Sequence, residues 1–92
     1  MTEDQAQTVA LQALGWLVAQ EDLLSVFLGS TGAGIDDLRA NASSPETGQA
    51  VLDFLAMNDD WAGQCIIANG WADDALQRAQ AVLQGAGGMQ WT

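Results

Sequence analysis

The sequence lacks histidine, lysine and tyrosine, and its only strongly basic side chains are those of Arg39 and Arg78. Against these two residues stand 12 acidic residues, which leave a formal net charge of -10 at pH 7. Proteins that bind nucleic acid or an anionic membrane surface neutralise phosphates with clustered Lys and Arg. The sequence therefore predicts that neither nucleic acid nor a membrane is a partner.

The missing residue types also remove most of the side chains that enzymes use. Without His, Lys and Tyr, acid-base and nucleophilic chemistry would fall on carboxylates, Ser, Thr, Arg or the single cysteine, Cys65. Cys65 has no histidine partner anywhere in the chain and shares an apolar helical face with Trp61 and Ile66, which favours a packing role. We expect a protein that is not an enzyme, with no catalytic residue and no cofactor.

Other absences concern the compartment. A single cysteine cannot close an intramolecular disulfide, and the first residues, MTEDQ, have neither the basic segment nor the apolar run of a secretion signal. No apolar stretch reaches the length that spans a bilayer. The prediction is a cytoplasmic protein.

The residues that are present are typical of helices. Hydrophobic residues make up 49% of the chain, and proline occurs once, at Pro45. Apolar residues recur at three- and four-residue spacing between Gly, acidic or Ser-Pro signals. These patterns predict an all-α protein, a compact bundle of five to six short helices. Its single domain covers residues 1–85, and a flexible, glycine-rich C-terminal tail covers residues 86–92.

Ten acidic residues form five adjacent pairs, each where a helix is predicted to begin: Glu3-Asp4, Glu21-Asp22, Asp36-Asp37, Asp59-Asp60 and Asp73-Asp74. A carboxylate there can accept hydrogen bonds from free backbone amides and lies near the positive end of the helix dipole. We interpret the pairs as helix caps and first-turn charges. Metal ligation is the weaker alternative, because the alternating pattern of a calcium-binding loop is absent, and we expect no metal site.

The two halves of the chain resemble each other. Residues 14–32 align with residues 52–70 without a gap. The alignment matches Leu14 with Leu52, Trp16 with Phe54, Leu17 with Leu55, Glu21-Asp22 with Asp59-Asp60, Leu28 with Ile66 and Gly32 with Gly70. It predicts two similar helix-turn-helix halves, about 14–40 and 52–80, with approximate two-fold symmetry. The alternative is that any two amphipathic helix pairs align to this degree.

Several segments of core and turn residues occur together: VALQALGWL from Val9, LL from Leu23, FL from Phe27, DDLR from Asp36 and VLDFL from Val51. With this combination, the chain up to about Leu83 resembles a family of small bacterial all-helical proteins known only as a domain of unknown function. The resemblance implies an all-helical fold and brings no activity, cofactor or catalytic residue. Residues 86–92 match no pattern of that family.

Aromatic residues suggest one interaction site. Trp16, Trp61 and Trp71 lie within or beside predicted helices, where large aromatics belong to the core or its rim. Met89 and Trp91 lie in the glycine-rich tail, where no predicted helix buries them. Trp91 therefore either folds back onto the bundle, which is favoured, or is presented to a partner. Met89 and Trp91 are the candidate interaction residues.

Three glycines, Gly15, Gly48 and Gly63, fall inside helical patterns. Each costs a helix about 1 kcal/mol relative to alanine. Close packing between helices is the predicted reason for all three.

The leading functional hypothesis is a non-enzymatic protein interaction or adaptor module, because a helical scaffold without reactive groups can still present a groove, a carboxylate rim and a tail. Its partner would be a protein with a basic or neutral surface. The alternative is an acidic nucleic-acid mimic or inhibitor that binds a basic cleft. A small ligand carrier is less favoured, since the chain is barely large enough for its own core. Both a monomer and a homodimer are compatible with the sequence.

Overall fold

The computed structural model describes residues 1–32 and 34–88, which form six helices and no strand. In chain order the helices are α1 (Glu3–Ala19), α2 (Glu21–Thr31), α3 (Ile35–Ala40), α4 (Pro45–Ala56), α5 (Asp59–Asn69) and α6 (Ala75–Gly88). The predicted all-α bundle is confirmed. None of the described helices combines the length and the hydrophobicity needed to cross a membrane.

Side chains cap the starts of α1 and α4. At α1, Thr2 Oγ1 accepts a hydrogen bond from the Gln5 amide at 3.1 Å, and the Thr2 amide donates to Gln5 Oε1 at 2.9 Å. At α4, Ser44 Oγ accepts from the Glu46 amide at 3.2 Å, and Pro45 occupies the first helical position. These reciprocal and single caps satisfy amides that a helix start leaves free.

The acidic pairs lie where predicted, but only one of them provides a cap. Asp37 Oδ2 accepts from the Gly34 amide at 3.3 Å, whereas α5 is capped by Asn58, whose Oδ1 accepts from the amides of Asp60 and Trp61 at 2.9 and 3.2 Å. The cap belongs to the residue before the helix, and most acidic pairs lie inside the first turn. Their interpretation as caps is wrong except for Asp37. Their placement as first-turn charges is confirmed for four pairs, whereas Asp73-Asp74 precedes the first residue of α6.

The core lies between α1, α4 and α6, which all pack against one another. Its buried side chains are Ala6, Ala10, Ala13, Leu14, Leu17, Phe27, Leu38, Val51, Leu52, Phe54, Leu55, Cys65, Leu76, Ala79 and Leu83. Phe54 connects three helices, because its ring meets Phe27 of α2 edge-on at 5.3 Å and stacks on Trp61 of α5 at 5.0 Å. Trp16, Trp61 and Trp71 are half-buried against this core, as predicted.

The two halves share their order of helices and their stop signals. Gly32 ends α2 and Gly70 ends α5, both in the left-handed conformation, with φ of 72° and 68°. The halves differ in their third helix. The six-residue α3 buries only Leu38, whereas the 14-residue α6 packs against both α1 and α4. The internal resemblance therefore extends to local structure, and the packing of α3 and α6 departs from it.

The carboxyl end differs from the prediction. Helix α6 continues to Gly88, three residues beyond the predicted end at Gly85, so part of the predicted tail is helical. Glycine lowers helix propensity without preventing a helix. The candidate interaction residues Met89 and Trp91 lie outside the described residues.

The three helical glycines separate into two kinds. A Cβ atom added at Gly48 would lie 2.9 Å from the Cβ of Ala10 and 3.4 Å from Cδ1 of Leu83, so close packing is confirmed there. A Cβ added at Gly15 or Gly63 would meet no atom within 4 Å. For Gly15 and Gly63 the predicted packing reason is wrong, because adjacent helices leave open space at both positions.

This contrast predicts opposite effects on stability. Gly48→Ala should lower the free energy of unfolding by about 1 kcal/mol or more, because the rigid Ala10 Cβ leaves the new methyl no room. Gly15→Ala should raise it by about 0.5 to 1 kcal/mol through helix propensity alone. Urea denaturation of both variants measures the difference, and a more stable Gly48→Ala protein would contradict the packing described here.

Candidate interaction groove

A groove of about 310 Å³ lies between α5 and α6, beside the end of α4. Small and aliphatic residues line part of it, namely Ala56, Ala62, Gly63, Ile66, Ile67 and Leu76, and polar residues line the rest, namely Asp59, Asp73, Gln77 and Gln80. We call this surface the α5–α6 groove. It combines an apolar floor with a partly acidic rim.

Helix α5 is placed by contacts on its opposite side. Cys65 is its only fully buried residue, and Trp61 stacks on Phe54 of α4. The turn at Gly70 then leads the chain into α6, where Leu76 and Ala79 are buried. Only residues 70–74 join the two helices, so Asp73 lies near the end of α5 that carries Ile67.

Ile67 is 81% exposed, the highest value among the large hydrophobic side chains of the described residues. Burying an isoleucine side chain is worth roughly 1.5 to 3 kcal/mol, a gain that the folded chain leaves unused. The internal alignment that matches Gly32 with Gly70 matches Ile67 with Gly29, an exposed residue of α2. The corresponding helix therefore forms without an apolar side chain at this position.

Gly63 lies in the middle of α5 and on the wall of the groove. Its φ angle is not positive, and an added Cβ would meet nothing within 4 Å. Neither backbone conformation nor internal packing thus requires glycine, although glycine costs the helix about 1 kcal/mol relative to alanine. Its lack of a side chain leaves space in the groove.

The rim of the groove carries negative charge that the protein does not neutralise. The carboxylates of Asp59 and Asp73 are exposed and have no hydrogen-bond or ion-pair partner among the described residues. Arg78 forms an ion pair with Asp74, with Nε 3.3 Å from Oδ2. Gln80 Nε2 donates to Asp53 Oδ1 at 2.6 Å, which ties α6 to α4 beside the groove.

Two further depressions are less suited to a ligand. The one between α2, α3 and α4 has polar walls that are already used, since Asn41 Nδ2 donates to the Asp37 carbonyl at 2.9 Å and Thr31 Oγ1 donates to the Phe27 carbonyl at 3.0 Å. The one between the α1–α2 turn and α5 is lined mainly by polar residues. Neither contains an aliphatic side chain as exposed as Ile67.

Reactive groups are scarce in the part of the chain that the structure describes. No three His, Cys, Asp or Glu side chains there are grouped so that they could hold a metal ion. Cys65 is fully buried in the core, which confirms its predicted packing role. Burial raises the pKa of its thiol from 9.0 to about 11, although a hydrogen bond from Asn69 acts in the opposite direction.

Sequence reasoning did not identify this groove. The predicted face of α5 consisted of Trp61, Cys65, Ile66 and Ala68; the first three are at least half-buried, whereas Ala68 is exposed. Ile67 follows Ile66 directly, so the two side chains must point in different directions on a helix. That adjacency, together with an unexplained Gly63, was the available signal.

The fold and the groove together define a small acidic all-α bundle with a partly apolar groove between its last two described helices. The chain belongs to the family described as protein of unknown function (DUF3572), which matches residues 3–86. The resemblance to a family of unknown function is confirmed. No curated protein and no solved structure matches the chain.

The thiol predicts a pH dependence of stability. As pH rises from about 9 to about 11, the unfolded thiol ionises while the buried one stays protonated, so the free energy of unfolding should fall. The chain has no lysine or tyrosine, so no other side chain titrates in this range. Urea denaturation across it, with Cys65→Ala as the control that lacks the slope, measures this effect. Equal slopes in both proteins would contradict it.

Proposed function

We propose that this domain is a non-enzymatic protein interaction module whose binding surface is the α5–α6 groove. The observation that carries the proposal is Ile67, an aliphatic side chain that is 81% exposed beside a groove. Apolar patches that are rimmed by polar residues mark protein contact sites, and Ile67 shares the lining of this groove with Ile66 and several small residues. The groove-lining groups are aliphatic side chains, carboxamides and two carboxylates, which suit binding better than covalent chemistry.

The size of the groove bears on the kind of complex. Full burial of Ile67 contributes roughly 1.5 to 3 kcal/mol, whereas a micromolar complex requires about 8 kcal/mol. Contacts of Ile66 and of the rim residues must supply the rest, because Leu76 is already buried in the core. A groove of about 310 Å³ accommodates a short segment, so we expect a reversible complex with one segment of a partner protein.

Photocrosslinking in the native cell tests this function. A photoreactive amino acid replaces Gln77, an exposed residue of the groove, and in a second strain it replaces Gln12, an exposed residue of α1. The groove position should give a crosslink to a protein, and the α1 position should not. Equal products from both positions would argue against the groove as the binding surface.

The same crosslink should depend on Ile67. Ile67→Gln should abolish it, because the apolar anchor is lost, while stability changes by less than about 0.5 kcal/mol at this exposed position. Val26→Gln is the matched control, since Val26 is 50% exposed on α2 and does not line the groove. A crosslink that persists in Ile67→Gln would contradict the proposal. A crosslink that persists in Ile67→Gln but disappears in high salt would favour the alternative, an acidic nucleic-acid mimic.

A further inference from the structure

The charges around the α5–α6 groove indicate which kind of segment it accepts. Asp59 and Asp73 face solvent without partners, and the cation nearest in sequence, Arg78, is already paired with Asp74. A second copy of this chain would bring the same carboxylates, and a net charge of -10, against the groove. A neutral segment would leave both carboxylates unpaired on binding. Charge complementarity therefore favours a basic segment.

The position of the carboxylates suggests a spacing. Asp59 and Ile67 are eight residues apart on α5, which corresponds to about 12 Å along the helix axis. Asp73 lies near the Ile67 end, so the two carboxylates stand toward opposite ends of the groove. Two turns of a partner helix cover about the same distance and place side chains on one face.

The floor of the groove favours a helix over an extended segment. One common way to bind an extended peptide is to add it to an exposed strand edge, and the described residues contain no strand. Ala56, Ala62 and Gly63 add little side-chain bulk to the lining of the groove, beside the exposed side chain of Ile67. The backbone of a partner helix can therefore approach these residues closely and place an aliphatic side chain between α5 and α6.

We infer that the α5–α6 groove binds a short helix of a partner protein that carries basic residues about two turns apart, with an aliphatic residue between them on the same face. This inference rests on the proposed function. The two rim carboxylates pair with the basic residues, and Ile67 packs against the aliphatic one from the Asp73 end of the groove. Gly63 supplies the space for the partner backbone, which accounts for a glycine that the fold does not require.

Selection from a library of displayed helical peptides tests the occupant, with the complete chain as bait and Ile67→Gln in the counter-selection. The recovered peptides should carry Lys or Arg two turns apart with Leu, Ile or Val between them. Their affinity should fall about tenfold in Asp59→Asn/Asp73→Asn and should decrease with salt. Recovery of acidic or uncharged peptides would overturn the inference, as would recovery of no peptide that depends on Ile67.

Gly63→Ala and Gly15→Ala form a matched pair for the same peptides. Both glycines lie within helices with nothing within 4 Å of an added Cβ, so both substitutions should stabilise the free protein. Only Gly63→Ala should weaken peptide binding, by about tenfold, because its methyl occupies the space of the partner backbone. Equal affinity of the two variants would overturn the assigned role of Gly63 and the helical occupant.

The outcomes separate this inference from the proposed function. A cellular crosslink at Gln77 that depends on Ile67, combined with selected peptides that are not basic, leaves the function intact and overturns the occupant. Absence of the crosslink contradicts the function itself. Sedimentation of the free chain tests whether a second copy of this chain occupies the groove. A dimer that dissociates in Gly63→Ala would assign the groove to that second copy.

Discussion

At the crossing of α1 and α4, Gly48 leaves room for the methyl group of Ala10, and Leu83 of α6 lies against the same point. This close approach lets three helices share one core in a chain of 92 residues, where little apolar surface is available for burial. The remaining helices depend on it. The ring of Phe54 in α4 stacks on Trp61, and this contact packs α5 against the core.

The groove follows from that arrangement. Helix α6 packs mainly against α1 and α4, and α5 packs against the core mainly through Trp61 and Cys65. The facing surfaces of α5 and α6 are therefore only partly used by each other. Residues that need not serve the fold can occupy them, and Gly63 and Ile67 are the two whose identity internal packing does not explain.

Local chemistry made much of the fold predictable. The Thr2 and Gln5 cap, the Ser44-Pro45 start and the left-handed stops depend on residues close in sequence. The cap at Asn58 was not predicted, because the acidic pair Asp59-Asp60 that follows it was interpreted as the cap of α5. The buried face of α5 was predictable from spacing, whereas the open space at Gly63 depends on where α6 lies. Contacts between distant segments determine such features, and no short pattern encodes them.

The acidic pairs contribute in two ways. Most begin helices, where they lie near the positive end of the helix dipole, and this local role is independent of any partner. At the groove the same placement leaves Asp59 and Asp73 unpaired at the rim. Neither of the two basic residues neutralises them, because Arg78 is paired with Asp74 and Arg39 lies on α3. One feature of the sequence thus stabilises helix starts and gives the groove its charge.

Methyl NMR can locate a bound partner on this protein, because the chain contains only three isoleucines, Ile35, Ile66 and Ile67. Two of them line the groove, and Ile35 on α3 is an internal control. When the partner captured by crosslinking is added to isoleucine-labelled protein, we expect the Ile66 and Ile67 signals to shift and the Ile35 signal to stay unchanged. A shift of the Ile35 signal alone would show that the partner does not bind in the α5–α6 groove.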